Sequence, residues 1–309
     1  MNNTDVELSI VTTIYNDAAV IKTLITELEN TAKALHIGLE IIIVNDGSRD
    51  NSGEIIKSIC AEKTYVKGIN LSRNFGQQIA VSAGLRFASG KFILVIDGDL
   101  ENPIDAIPLL YKKINEGFDI VYAVTKKRNS LINSITSELF WIVVCKLFKV
   151  NIIRHQLMLR IMSRKMVDYY NVYTEITRSV AGITQDIGLN YSTLEVTPQK
   201  RISGRSNYSF SKRLNIFIDI VLSMSLRPLN FIIFLGLYTF ILSVITAIYY
   251  LYVYFTVGTV PGFTSTILSI FLFGSITTFT LGIIARYLSL IYLEVKNRPL
   301  FLIKEKYNL

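Results

Sequence analysis

Two carboxylates one residue apart, Asp97 and Asp99, directly follow the apolar run Phe92–Ile96. Hard oxygen donors at that spacing suit Mg2+ or Mn2+, with water and diphosphate oxygens completing the shell. A cation held there would offset the charge that builds on a departing diphosphate. Gly98 allows the backbone to turn between the two acids. An Asp-x-Asp alone is an ordinary turn sequence, so its weight depends on its surroundings. Three earlier apolar runs also end in polar loops: Tyr15-Asn16-Asp17, Asn45-Asp46-Gly47-Ser48-Arg49-Asp50 and Ser72-Arg73-Asn74-Phe75-Gly76-Gln77. Asp50 or Ser52 could cap the helix that follows, but four such loops in succession point to one shared ligand site. Asp46 in this reading offers a carboxylate where a base or ribose would lie.

The elements that must position these loops alternate. Strand patterns at Leu8–Ile14, Leu39–Val44, Val66–Leu71, Phe92–Ile96 and Asp119–Val124 are separated by helical patterns at Ala18–Leu35, Ser52–Ala61, Gln77–Ala88 and Pro103–Ile114. Such alternation predicts an α/β fold with a mostly parallel sheet covered by helices on both faces. Ligands then bind outside the carboxyl ends of the strands, where the four loops lie. The first strand is followed by no G-x-G-x-x-G, and the chain has no G-x-x-x-x-G-K-[ST], which argues against dinucleotide oxidoreductases and P-loop NTPases. His36 and His155 are the two histidines, read as a helix-end and a loop residue, so no Ser/His/Asp grouping is available. Cys60 and Cys145 stand far apart, outside any disulfide or zinc pattern.

Composition divides the chain. Charged residues make up 18% of its 309 positions, below the roughly one quarter of ordinary soluble domains. The 58 residues from Pro228 to Ala285 contain no Asp, Glu, Lys or Arg. Two spans, about 229–255 and 264–290, fit that desert as a transmembrane hairpin turning at Thr256–Gly262. Lys212, Arg213 and Arg227 before it and Lys296, Arg298, Lys304 and Lys306 after it put both flanks in the cytoplasm. The acidic N-terminus lacks a signal-peptide pattern. The expected organisation is a cytoplasmic domain over 1–208, an amphipathic juxtamembrane segment over 209–228, the hairpin over 229–293 and a cytoplasmic tail over 294–309. That makes a multi-pass protein of the cell (inner) membrane with both termini cytoplasmic. Basic residues between Val196 and Ile218 then face anionic lipid rather than nucleic acid. Gly236, Gly274 and Gly282 permit close helix packing, as in a homo-oligomer.

Together the motifs Ile14-Tyr-Asn-Asp17, Val44-Asn-Asp-Gly-Ser48, Leu71-Ser-Arg-Asn-Phe-Gly76, Asp97-Gly-Asp-Leu-Glu-Asn-Pro103, Arg201-Ile-Ser-Gly-Arg-Ser-Asn-Tyr208 and Glu294-Val-Lys-Asn-Arg-Pro299 carry a resemblance over about residues 7 to 302. The chain resembles the glycosyltransferase family 2 enzymes that load sugars onto polyprenyl phosphates, the bactoprenol glucosyltransferases and dolichol-phosphate mannose synthases. The resemblance implies a GT-A (Rossmann-like) domain that takes a nucleotide-diphosphate sugar, here read as a UDP-sugar, and transfers the sugar to polyprenyl (undecaprenyl) phosphate in the lipid bilayer. It implies metal contacts from Asp97, Asp99 and Glu101, where the family usually has Gln. Donor contacts are expected from Tyr15, Asp17, Asp46, Arg73 and Gln77, and phosphate contacts from Arg201 and Ser206.

The chain departs from the family at one place that bears on chemistry. Members usually carry an acid shortly before an Arg, in stretches such as G-D-F-R-L-M, and that acid is often treated as a catalytic base. Here the stretch is Arg154-His-Gln-Leu-Met-Leu-Arg160, with no Asp or Glu between Glu138 and Asp168. A phosphate monoester, with its second pKa near ~6, is largely ionised at neutral pH. Such a nucleophile needs no base, only cationic groups to place it. Arg160, Arg164 and Arg201 are the candidates for that task, Arg164 being equally readable as a surface helix residue, with Asp99 and the metal on the leaving diphosphate. The rival reading is a non-catalytic or altered-acceptor membrane partner that retains the donor-binding fold. A processive polysaccharide synthase fits poorly, since no Q-x-x-R-W occurs.

Overall fold

Near-continuous apolar runs become strands here because helices cover both faces of the sheet. In chain order the elements are β1 (Leu8–Ile14), α1 (Ile21–Leu35), β2 (Leu39–Asn45), α2 (Ser52–Glu62), β3 (Val66–Leu71), α3 (Gln77–Phe87), β4 (Phe92–Asp97), a 3-10 turn (Ile104–Ala106) running into α4 (Ile107–Ile114), β5 (Ile120–Thr125), β6 (Gln156–Ser163), helices Arg164–Val172 and Val180–Asp186, β7 (Tyr191–Val196), a long helix Phe263–Val295 and β8 (Ile303–Tyr307). The computed structural model describes residues 6–100, 102–125, 153, 155–176, 178–197 and 262–309, with scattered residues between 232 and 256. Two expected helices start late for local reasons. The Ala18 backbone N–H donates to Asp50 Oδ2 at 3.1 Å, so the chain turns toward the β2 loop before α1 begins at Ile21. Pro103 has an extended backbone, and Pro108 occupies the first turn of α4, where its missing N–H costs nothing.

The strands form one eight-stranded sheet in the order β7-β5-β6-β4-β1-β2-β3-β8. β1 pairs in parallel with β2 and β4, β2 with β3, and β5 with β7, whereas β6 and β8 run antiparallel to their neighbours. The expectation of a mostly parallel α/β sheet is met. One face buries Ile10, Leu24, Ile25, Leu28, Ile43, Ile56, Leu94 and Leu110 beneath α1, α2 and α4. The other buries Val11, Val44, Ala80, Val95, Tyr122, Met162, Met166 and Tyr170 beneath α3 and the two helices after β6. At the amino edge, buried Glu40 accepts from Ser9, Lys67 and Ser89. Burial alone would raise its pKa, but those hydrogen bonds hold it below the ordinary value. Cys60 is buried and free, its thiol pushed up to about 11 by desolvation, which suits the inert structural role expected of it.

Among the described residues the chain divides into a unit holding the sheet, including Pro299–Leu309, and a unit holding the long helix. Within that helix Leu272–Val295 has mean hydropathy 1.5, long and apolar enough to cross a membrane by length and composition. Its Leu272, Phe279, Leu281, Ile284, Leu288 and Ile291 are exposed, so apolar side chains project on several sides. The described residues of the first expected span, between Ile232 and Thr256, are helical. The amphipathic segment 209–228 and most of the turn between the spans lie outside the described residues.

β8 was not foreseen, although the alternation in Ile303-Lys-Glu-Lys-Tyr307 is a strand signal. It pairs with β3, and Asn70 Nδ2 donates to Glu305 Oε2 at 3.1 Å. Beyond it the two amide hydrogens of Asn308 are shared among three carbonyls, those of Cys60 (2.6 Å), Lys63 (3.2 Å) and Val66 (2.8 Å). Asn308→Ala leaves the strand in place but removes that donor. It is expected to lower unfolding free energy by about 1–2 kcal/mol, read as a lower denaturant midpoint at unchanged slope; an unchanged midpoint would show that water serves these carbonyls equally well.

Candidate active site

The parallel register brings the strand ends to one level. Ile14 lies opposite Asn45, Asn45 opposite Asn70, and Thr13 opposite Asp97. The loops that leave these ends are tied to one another in order. Between the first and second, the Asn16 N–H donates to Ser48 Oγ at 2.9 Å and the Arg49 N–H to Asn16 Oδ1 at 2.7 Å. Asn16 has φ of 52°, which Asn tolerates because its short polar side chain bonds locally.

Between the second and third loops, the Asp46 carboxylate accepts the N–H of Phe75 at 2.7 Å and of Gly76 at 2.9 Å. Gly47 has φ of +67°, and a Cβ there would lie 2.3 Å from the Arg73 carbonyl carbon, so both conformation and contact demand glycine. Asp46 is 3% exposed. Burial raises its pKa against the lowering influence of the two N–H groups and Arg73. Both oxygens are thus engaged by the third loop, and Asp46 positions the segment that carries Arg73 and Gln77. Arg73 stacks over Phe75 with its guanidinium carbon 4.1 Å from the ring centroid.

Between the third and fourth loops, Gln77 Nε2 donates to Asp97 Oδ1, and Asn102 Nδ2 donates to Asp97 Oδ2 at 3.1 Å. Gln77 therefore orients Asp97. Gly98 is required for a reason other than turning: a Cβ would lie 2.5 Å from Ile14 Cδ1 and 2.6 Å from the Thr13 carbonyl oxygen. Its absence lets the β4 loop lie against the end of β1. Leu100, buried, holds φ of 57°, a left-handed conformation that costs a branched side chain about 1–3 kcal/mol and fixes the chain beyond Asp99.

Asp99 and Tyr15 are exposed at this edge. The Asp17 carboxyl is pushed up by burial, with the charges of Asp99 and then Asp50 adding to the shift. Negative charge from the first and fourth loops thus meets at one place. Among the described residues no three His, Cys, Asp or Glu side chains gather to hold an ion alone. Asp97, oriented by two amides, and exposed Asp99 still form a hard-oxygen pair that fits Mg2+ or Mn2+ with other oxygens completing the shell. Glu101, Arg201 and Ser206 lie outside the described residues.

The two other arginines part company. Arg164 donates to the Gly90 carbonyl and lies 3.8 Å from Asp168, one residue beyond Ser163, which pairs with Phe92. It lies level with Lys91, six residues before Asp97 at the far end of β4, which places it as a surface helix residue and away from the phosphate. Arg160 pairs with Val95 and with Tyr122, on the sheet face that carries α3. It is 1% exposed; its Nε donates to the Met158 carbonyl at 3.0 Å and its Nη2 to the Leu157 carbonyl at 3.0 Å and Met158 Sδ at 3.5 Å. The guanidinium carbon lies 5.6 Å from the Tyr122 ring centroid. Burial lowers the Arg160 pKa, opposed by Tyr122, Asp97 and Tyr170. His36 and His155 are both backbone-constrained residues with φ of 55° and 57°, as a helix end and a loop.

Comparison with known proteins agrees with this geometry. The model of glycosyl transferase family 2 matches residues 9–182. The chain is 33% identical over 307 residues to an uncharacterized glycosyltransferase of Synechocystis, covering 98% of this chain and 96% of the relative. It is 28% identical over 304 residues to the SfII prophage-derived bactoprenol glucosyl transferase of Shigella flexneri, covering 97% and 98% respectively. The crystal structure of glucosyl-3-phosphoglycerate synthase from Mycobacterium tuberculosis, in complex with Mn2+, uridine diphosphate and phosphoglyceric acid, is similar in fold, with a TM-score of 0.52 and 14% identity over 70% of this chain and 77% of that chain.

Asp46→Asn turns an amide donor toward one of the N–H groups of Phe75 and Gly76. It is expected to cost about 1–3 kcal/mol and to speed hydrogen exchange at both amides. Unchanged exchange at Phe75 and Gly76 would contradict the positioning role.

Proposed function

The chain belongs to glycosyltransferase family 2, and from that premise we propose that it transfers one sugar from a nucleotide-diphosphate sugar, read as a UDP-sugar, to polyprenyl phosphate at the cytoplasmic membrane face. The observation that carries the reading is the level ending of β1 to β4, with their loops tied in sequence around Asp97 and Asp99. The name of the Shigella relative supports bactoprenol as the acceptor class. The Mn2+ and uridine diphosphate of the Mycobacterium structure accord with the acidic edge.

In this reading a phosphate oxygen of the acceptor attacks the anomeric carbon of the sugar. The bond from that carbon to the diphosphate breaks, and the nucleoside diphosphate leaves with the electron pair. Asp97 and Asp99, with Glu101 as the further candidate, would hold a divalent ion, which would neutralise charge on the leaving diphosphate. Gln77 and Asn102 hold the Asp97 carboxylate in place, as second-shell amides do for metal ligands. Tyr15, Asp17 and Arg73, at the mouths of the first and third loops, meet the nucleotide. Arg201 and Ser206 receive the acceptor phosphate. The ionised acceptor has no proton to lose, so Met158 in place of the family acid leaves the reaction without a missing step.

The domain layout follows as part of the same proposal. Residues 1–208 form the cytoplasmic catalytic domain, 209–228 lie along the membrane surface, and 229–293 cross it twice. The last residues, 294–309, remain cytoplasmic and supply β8. An acceptor with a long prenyl chain stays in the bilayer, so the enzyme must be anchored there.

Purified protein with Mn2+, polyprenyl phosphate and a panel of nucleotide sugars is expected to form a lipid-linked monosaccharide, and chelation of the metal to abolish it. Asp97→Asn or Asp99→Asn is expected to reduce kcat by about a hundredfold or more, and Arg201→Ala to raise the KM for the lipid. Absence of a lipid-linked product across the panel would favour the non-catalytic partner reading instead.

A further inference from the structure

Arg160 is the most fully buried large side chain in the sheet domain that carries an unsatisfied charge. Three of its bonds are local, to the backbone of Leu157 and Met158 and to the Met158 thioether. Its Nη1, with two hydrogens, has no hydrogen-bond partner among the described residues. No carboxylate forms an ion pair with it among those residues, and guanidinium remains charged at any physiological pH. The charge of Asp97 acts on it without an ion pair being formed, and a buried charge with no direct partner costs several kcal/mol, which an anion bound at Nη1 would offset.

Placement says which anion. Arg160 lies opposite Val95, two residues before Asp97, and alternation along β4 puts Val95 and Asp97 on the same face. Along β6, Gln156, Met158 and Arg160 share that face by the same alternation. Gln156 Oε1 is a second buried polar atom without a partner among the described residues. An orphan cation donor and an orphan acceptor therefore flank Met158 on the face that leads to the Asp97 edge. Met158 is half-buried, and its Sδ accepts from Gln78 Nε2 at 3.7 Å as well as from Arg160. Its flexible thioether can swing aside at the loss of only the weak sulfur contacts to Arg160 and Gln78. An Asp at this position, as the resemblance leads one to expect, would stand where Met158 Sδ now meets Nη2 and would pair with the guanidinium from within the chain.

We infer that Met158, a neutral side chain against Nη2, leaves the Arg160 guanidinium and its buried, unpartnered Nη1 to receive a substrate phosphate oxyanion, so that the substrate supplies the ion-pair partner the chain itself omits. This makes Met158 a specificity-determining residue and rests on the proposed transfer to a lipid phosphate. The oxyanion could come from the prenyl phosphate monoester or from the nucleotide diphosphate, which share this chemistry.

The test is Met158→Asp, with Met158→Asn as a neutral counterpart and Met158→Leu as the volume control, all in the full-length protein. Binding is measured by calorimetry with two probes: a short-chain prenyl phosphate in micelles, and uridine diphosphate with Mn2+. Met158→Asp is expected to raise the melting temperature by pairing with Arg160, and to weaken one probe by about tenfold to a hundredfold. Met158→Asn should weaken the same probe less, and Met158→Leu should leave it near the original value. Weakening confined to the prenyl phosphate identifies the acceptor as the source, and weakening confined to the diphosphate identifies the donor. A melting temperature that rises while both affinities stay unchanged would overturn the proposal, because Nη1 would then be a structural group only. So would tighter binding or faster transfer in Met158→Asp, which would mean the acid itself was lacking. The original protein run beside the variants separates the two claims: failure to make lipid-linked sugar with intact Met158-dependent phosphate binding counts against the transfer reading alone.

Discussion

Everything in the site depends on where four parallel strands stop. Hydrogen bonding between β4, β1, β2 and β3 fixes a register in which Asp97, Thr13, Asn45 and Asn70 fall within one residue of the same level. A one-residue slip of β4 would turn Asp97 to the opposite face of the sheet, away from α3 and Gln77. The register is secured by apolar side chains on both faces, so the driving force for the site's geometry is burial in the two cores and not any interaction of the polar residues themselves. Gly98 permits the last adjustment, the close approach of the Asp97 loop to Thr13 and Ile14.

Buried charge is treated in three ways in this domain. Glu40, at the amino edge, is surrounded by Ser9, Lys67 and Ser89 and serves stability. Asp46, at the carboxyl edge, is satisfied by two backbone amides and gives the third loop its shape. Arg160 is satisfied only in part. The contrast is informative because the same chain satisfies comparable groups elsewhere, and the incomplete one lies opposite Val95, two residues before the proposed metal ligand Asp97. The C-terminal strand extends the polar system in another direction, through the Asn45–Asn70–Glu305 hydrogen bonds that link the β2 end to β8.

Much of this was legible in the residues. The strands read correctly because parallel, doubly covered strands are apolar without interruption, and the four loops could be placed at one edge from the alternation alone. Asp97 and Asp99 stand where that reading put them. Other features depend on three-dimensional partners that spacing does not report. Asp46 reads as a donor contact in sequence, and its clamp on the third loop could not be read there because its partners Phe75 and Gly76 lie some thirty residues away. Arg164 and Arg160 look equivalent in sequence, yet an antiparallel strand carries one to the far end of β4 and buries the other beside Tyr122. Gly98 looked like a turn residue and proved to be a contact residue. The alternating pattern of β8 is short and follows closely on a long apolar helix, which masks it as a strand signal.

The central claim is that the loops of β1 to β4 hold a metal and a nucleoside diphosphate between Asp97 and Asp99 at the sheet edge. Anomalous scattering from Mn2+ in crystals of the protein grown with uridine diphosphate tests it directly. The account predicts a single strong peak bonded to carboxylate oxygens of Asp97 and Asp99, with the Gln77 amide still on Asp97 and the diphosphate in the metal shell. A peak elsewhere, or a nucleotide bound away from the strand ends, would contradict it.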